Sequence, residues 1–181
     1  SEKTDQLLTK INTTVNTQVS PDSEIIFPTQ SLQWALNQNN QLGYQEPLTS
    51  LRMQNHMSEL LLRLEQEGFN GTLSLRYHAG NYCEQNDDEQ FVLADNQTPL
   101  SQCVKRSDLE WADASEVKNW EVLIDQWNNT YNGFYIEFEY MGSSYTKQDY
   151  PVIISGVENA TLAEDWNTIA AVNNRLEFYL H

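Results

Sequence analysis

Basic residues are scarce in this chain: 10 Lys and Arg stand against 26 Asp and Glu, a formal charge of −16 over 181 residues. That balance repels phosphate backbones and anionic lipid, so it argues against nucleic-acid partners and against direct binding to a membrane surface. The acidic excess is either an ordinary solvated surface or one shaped for a cationic partner. Long apolar runs are missing too. None approaches the roughly 20 residues that cross a bilayer, and no signal-peptide pattern opens the chain. It reads as soluble as it stands, or as the mature part of something larger. Cysteine is nearly absent, with two residues, Cys83 and Cys103. Their spacing is not C-x-x-C, which leaves zinc and redox motifs without support. Neither has an activating motif beside it. There is no nucleophile elbow, phosphate loop or metal motif, so no catalytic residue, metal or cofactor is expected. Glu84-Gln85-Asn86-Asp87-Asp88-Glu89 is acidic enough to raise calcium, but lacks the Gly and the spaced terminal Glu of an EF-hand loop.

What is present centres on Gly71-Thr72-Leu73-Ser74-Leu75-Arg76-Tyr77-His78. Leu73, Leu75 and Tyr77 fall on one face, and Thr72, Ser74, Arg76 and His78 on the other, the period of two that marks a strand with one buried face. About sixty residues on comes an echo, Phe134 to Met141, opened by Asn132-Gly133 as the first is by Asn70-Gly71. Each follows a helical pattern, and two such units predict an α/β layer with helices packed over a sheet. Glu137 and Glu139 share the solvent side of the second strand.

In chain order, Ser1 to about Gln18 reads as a weak helix or tether, and Ser20-Pro21-Asp22-Ser23 breaks it. Glu24 to Phe27 reads as a short strand. Thr29 to Glu46, rich in Gln and Asn with Trp34 and Leu36 as isolated apolar anchors, reads as a loop with at most a turn of helix. Pro47 opens a long helix capped by Thr49 or Ser50, with Leu51, Met57, Leu60, Leu61 and Leu64 as its stripe and Gly68 as its stop. His56 and Met53 read as surface or core-edge residues. Ala79 to Trp111 reads as irregular. A second helix starts near Asp113, with Glu116 completing a capping box and Val117, Trp120, Leu123, Ile124 and Trp127 as its stripe. Tyr150 to Ile154 is a candidate edge element. Thr161-Leu162-Ala163-Glu164 is a second capping box, before a short helix with Ala163, Trp166, Ile169 and Ala170 on one side. Leu176, Phe178 and Leu180 close the chain as a strand. The expected core joins Leu73, Leu75, Phe134 or Tyr135, Ile136, Phe138, Leu176 and Phe178 to Leu60, Leu64, Trp120 and Ile124.

The two cysteines read as one disulfide around a turn-rich segment, which would imply an oxidising compartment. Closing a loop of about twenty residues contributes roughly 3 kcal/mol in the chain-entropy model. Two buried thiols in a cytosolic protein are the alternative. Asn12, Asn70, Asn96, Asn128 and Asn159 begin Asn-x-Ser/Thr sequons, which keeps a secreted glycoprotein open.

The order strand, helix, strand, helix, strand, short helix, strand resembles the OmpA-like domain of outer-membrane protein A, peptidoglycan-associated lipoprotein and the flagellar stator protein B. Asn173-Asn174-Arg175-Leu176-Glu177 looks like that family's Asn-Arg-Arg-Val-Glu entry to its last strand. Tyr77-His78-Ala79-Gly80 lies where the family has Gly-His-Thr-Asp. Ala114-Ser115-Glu116-Val117-Lys118-Asn119 lies where it has Leu-Ser-x-x-Arg-Ala, and Met141-Gly142 through Pro151 takes the place of its Gly-x-Gly…Pro segment. The resemblance implies an α/β (α+β) sandwich with helices on a mixed sheet. Its domain would span 24–181 after a tether at 1–23, with a disulfide-closed insertion around 80–112.

It also implies non-covalent peptidoglycan binding, in which an Asp takes the ammonium and an Arg the carboxylate of a stem-peptide diamino acid. Here Gly80 stands at the Asp position and Lys118 at the Arg position, keeping the charge without the fork. The implied ligand residues are therefore His78, Asn81 and Lys118, with Arg175 nearby. Alternatively, the chain is an envelope protein–protein module that has lost the ligand. Both place it in the periplasm or another extracytoplasmic space, tethered through an anchor upstream. Each residue also has a plain structural role open to it. His78 would be a polar strand end, Arg175 and Glu177 a surface pair worth under about 1 kcal/mol, and Asn173 and Asn174 helix caps.

Overall fold

A computed structural model describes residues 29–104, 115–154 and 161–181, apart from the side chains of 115–117. The expected helix at 1–18, the strand at 24–27, the Asp113 capping box and the sequons at Asn12 and Asn159 lie outside the described residues. Within them the fold is mixed α/β, with four helices and a mixed sheet.

The sheet has three strands: β1 (Thr72–His78) in the middle, β4 (Tyr135–Gly142) parallel to it, and β5 (Arg175–Leu180) antiparallel on its other side. Register sets Leu75 opposite both Phe138 and Phe178, so the apolar residues of all three strands point the same way. Leu73, Leu75, Ile136, Leu176 and Phe178 are all buried there. Helices α2 (Leu51–Gln66) and α3 (Ser115–Thr130) cover that face. Met57, Leu61, Leu64, Trp120 and Ile124 complete one core with it. Phe134 is the buried member of its pair, while Tyr135 turns outward at the start of β4.

Helix α2 begins as expected, with the Ser50 side chain accepting from the Met53 amide at 3.2 Å, and stops where Gly68 takes φ +71°. Its stripe needs one correction: Leu51 is 74% exposed and Met53 is buried in its place. Leu51 opens the first turn, beyond the strands it was expected to meet.

Three expectations about irregular and capped segments are overturned. Residues 29–36 form a helix, α1 (Thr29–Leu36), continued by a 3-10 turn at Asn37–Asn39. Leu32, Ala35 and Leu36 anchor it in the core, and its amides serve the free edge of β5. Asn37 donates to the Phe178 carbonyl at 2.8 Å and accepts from its amide at 2.9 Å, while Gln33 accepts from the Leu180 amide. Eight residues are too few for a stable isolated helix, so tertiary contact is what holds this one. The segment after β1 holds a hairpin, β2 (Glu84–Asp87) and β3 (Gln90–Leu93), turned at Asp88 and Glu89, both at positive φ. Such two-residue turns normally use Asn-Gly, so this one carries no sequence signal. Glu84 is buried, and Tyr44 donates to it at 2.6 Å, which ties its carboxylate to the fold. Finally, α4 (Ala163–Asn173) has no side-chain cap. The Ala163 and Glu164 amides donate instead to the carbonyls of Thr98 and Asn96.

Cys83 and Cys103 form a disulfide, with Cα atoms 4.9 Å apart. It sits in a small second core with Ala94, Leu100, Ala163 and Trp166. Residues 151–154 carry no regular structure, and Val152 and Ile154 are exposed, contrary to the expected edge element. At the other sheet edge Asn128 of α3 accepts from the Ile136 amide at 2.7 Å and donates to its carbonyl at 2.8 Å. That amide is committed to the fold, so the Asn128 sequon has no free nitrogen to offer a glycan.

Candidate functional site

The second face of the sheet is polar and only partly covered. Alternation places Ser74, Arg76 and His78 of β1 on it, beside Glu137 and Glu139 of β4 and Arg175, Glu177 and Tyr179 of β5. Arg76 reaches toward Glu139 at 3.7 Å and stacks its guanidinium 4.5 Å from the Tyr179 ring centroid.

Glu177 is the hub. His78 Nε2 lies 3.3 Å from one carboxylate oxygen, to which the Tyr179 hydroxyl donates at 2.5 Å. Arg175 Nε donates to the other at 2.7 Å. These contacts, that with His78 first, hold the Glu177 carboxyl far below the usual carboxylate range against the opposing effect of burial. Burial, and then the bond to Glu177, push the Tyr179 hydroxyl up.

Arg175 is only 5% exposed. Its Nη1 donates to the Asn173 and Tyr145 carbonyls at 3.0 and 3.3 Å. Asn173 positions that loop by accepting from the Lys147 and Gln148 amides and donating to the Gln148 carbonyl. Nη2 makes no hydrogen bond among the described residues.

Arg175, Glu177 and Tyr179 form one wall of a cleft of about 400 Å³ between β5 and α1. Trp34, Gln30 and Gln38 line it from α1 and the turn that follows, and Lys147 lines it too. Trp34 is 57% exposed. Lys147 has no ion pair among the described residues. With Glu177 already neutralised by its neighbours, the cleft is locally cationic in a strongly acidic chain. A space of this size, part aromatic and part polar, suits a small ligand.

The residues singled out from the sequence are only partly assembled. His78 and Arg175 meet through Glu177. His78 is buried beneath Tyr145, and its Nδ1 has no partner among the described residues. Asn81 belongs to the disulfide lobe, its amide donating to the Tyr150 hydroxyl at 2.8 Å and its carbonyl accepting from the Trp166 indole at 2.6 Å. Lys118 is exposed on α3, which packs on the opposite face through Trp120 and Phe138. A Cβ at Gly80 would run into the Ala170 carbonyl oxygen, so an Asp there would displace backbone.

Sequence reasoning did not mark Trp34, Lys147 or Tyr179 as cleft residues, and it read Glu177 only as a surface partner of Arg175. One signal was available: Gln30, Trp34 and Gln38 recur every four residues, the spacing of one helical face. No family model, curated protein or solved structure matches this chain.

Proposed function

We propose that the chain is a non-catalytic binding module of the cell envelope, an OmpA-like domain whose peptidoglycan ligand lies in the cleft between α1 and β5. The observation that carries this reading is the buried Arg175, held by Glu177 and two carbonyls, with Nη2 left over and Lys147 lining the same cleft without an ion pair among the described residues. A pre-oriented guanidinium edge with a second cation nearby is what a carboxylate-bearing ligand needs. The finer topology is supported by the helical crossover between the parallel β1 and β4, and by Asn173-Asn174-Arg175 at the entry to the antiparallel last strand. The disulfide is compatible with an extracytoplasmic location.

The family's own grip is a different place. Gly80 has no room for its Asp, and Lys118 lies across the sheet from His78. Those two departures favour a second reading, an envelope protein–protein module built on the same frame.

Sedimentation with purified peptidoglycan separates them. Wild type and Lys118→Ala should be retained alike, and Lys147→Glu should lose about tenfold in apparent affinity, as a reversed charge beside a bound anion would. If wild type pellets no better than a non-binding control, peptidoglycan falls and the protein–protein reading replaces it.

A further inference from the structure

We infer that the α1–β5 cleft is a site for a sugar that carries a carboxylate. This rests on the reading of the cleft as the ligand site and specifies glycan whose muramic acid is free of stem peptide, because a lactyl group that bears the peptide is an amide and carries no carboxylate. Two kinds of wall meet there. One is cationic: Arg175 and Lys147 both line the space, and the only carboxylate lining it among the described residues, Glu177, is already contacted by His78, Arg175 and Tyr179. The other is aromatic and amide-lined: Trp34 shows more than half its surface to solvent between Gln30 and Gln38.

A broad indole face left in water has apolar area and C–H-accepting π density to offer, which a sugar ring's C–H face satisfies. Side-chain amides present a donor and an acceptor side by side, matching adjacent hydroxyls. A short peptide of small residues would use the cationic wall, and its peptide units would pair with the amides, but it would leave the Trp34 face unused. A neutral sugar would use the Trp34 face and leave the cationic wall idle. A carboxylated sugar uses both.

Titration of the full ¹⁵N-labelled chain, followed at the Trp34 indole N–H, tests this with three probes: N-acetylmuramic acid, N-acetylglucosamine and D-alanyl-D-alanine. The Trp34→Phe variant assigns the signal. N-acetylmuramic acid should shift it saturably, and N-acetylglucosamine, which lacks the 3-O-lactyl group and with it the carboxylate, should bind at least about tenfold more weakly. The dipeptide should leave it unmoved. Lys147→Glu should weaken the acidic sugar by about fivefold or more while leaving the neutral one unchanged. Equal binding of the two sugars, a shift by the dipeptide alone, no shift by any probe, or indifference to Lys147→Glu would each overturn the inference. If intact peptidoglycan sediments with the protein while the sugars fail, the wall is held by another part of its structure. If the acidic sugar binds but the wall does not sediment, the wall reading fails and the sugar site stands.

Discussion

The two faces of the three-stranded sheet are made by the same residues of backbone and share almost nothing else. On the covered face, Leu75, Ile136 and Phe178 meet α2 and α3 in one apolar core, where the buried Trp120 indole N–H has no partner among the described residues. On the open face, Arg76, His78, Arg175, Glu177 and Tyr179 hold one another through hydrogen bonds, close charge contacts and a cation–π stack beside a cleft. The covered face supplies stability through area removed from water. The open face holds charged groups in fixed geometry and has space beside them. The difference assigns folding to one parity of the strands and ligand contact to the other.

The largest effect should come from the covered face. Ile136 is fully buried, and Ile136→Ala should cost about 2–5 kcal/mol in urea unfolding through lost transfer and the cavity left behind. A loss below about 0.5 kcal/mol, the range of surface substitutions, would mean that the faces are assigned the wrong way round.

The open face should respond to acid instead. Glu177 has a folded pKa held well below its unfolded value, so its contribution is complete above about pH 4.3, the usual Glu pKa, and fades as pH falls toward the depressed one. The stability gap between wild type and Glu177→Gln, from thermal melts between pH 7 and 2.5, should be constant near neutrality and narrow below about pH 4. A gap that stays flat to the lowest pH would show that His78, Arg175 and Tyr179 do not favour the ionised carboxylate.

The covered face was legible from the sequence and the open one largely was not, for reasons that particular residues make plain. Leu73-Leu75-Tyr77 and Leu176-Phe178-Leu180 repeat every second residue, and burial follows from that period wherever one face packs. The disulfide was legible because two lone cysteines flanked a segment poor in apolar residues. Asparagine was not. Asn37, Asn128, Asn167 and Asn173 each donate to and accept from a single distant backbone unit, at Phe178, Ile136, Cys83 and Gln148. In these pairings the side-chain amide stands in for a neighbouring strand, sealing sheet edges and pinning loops. Composition shows that such amides exist, but not which peptide each one reaches. Residues 29–46 therefore read as a loop, and Trp34 as a stray anchor. Arg175 was found through a resemblance, but its Glu177 partnership turned out buried and networked rather than a surface pair.

The smallest expected change in stability belongs to the residue with the largest expected change in binding. Trp34→Ala removes an exposed ring that contributes nothing to the core, so its urea midpoint should be unchanged and its unfolding free energy should match wild type within about 0.5 kcal/mol. Measuring that midpoint and peptidoglycan retention on the same preparation tests the division between the faces most directly. The account predicts intact stability with retention lost. Retention at the wild-type level, or binding and stability falling together, would contradict it.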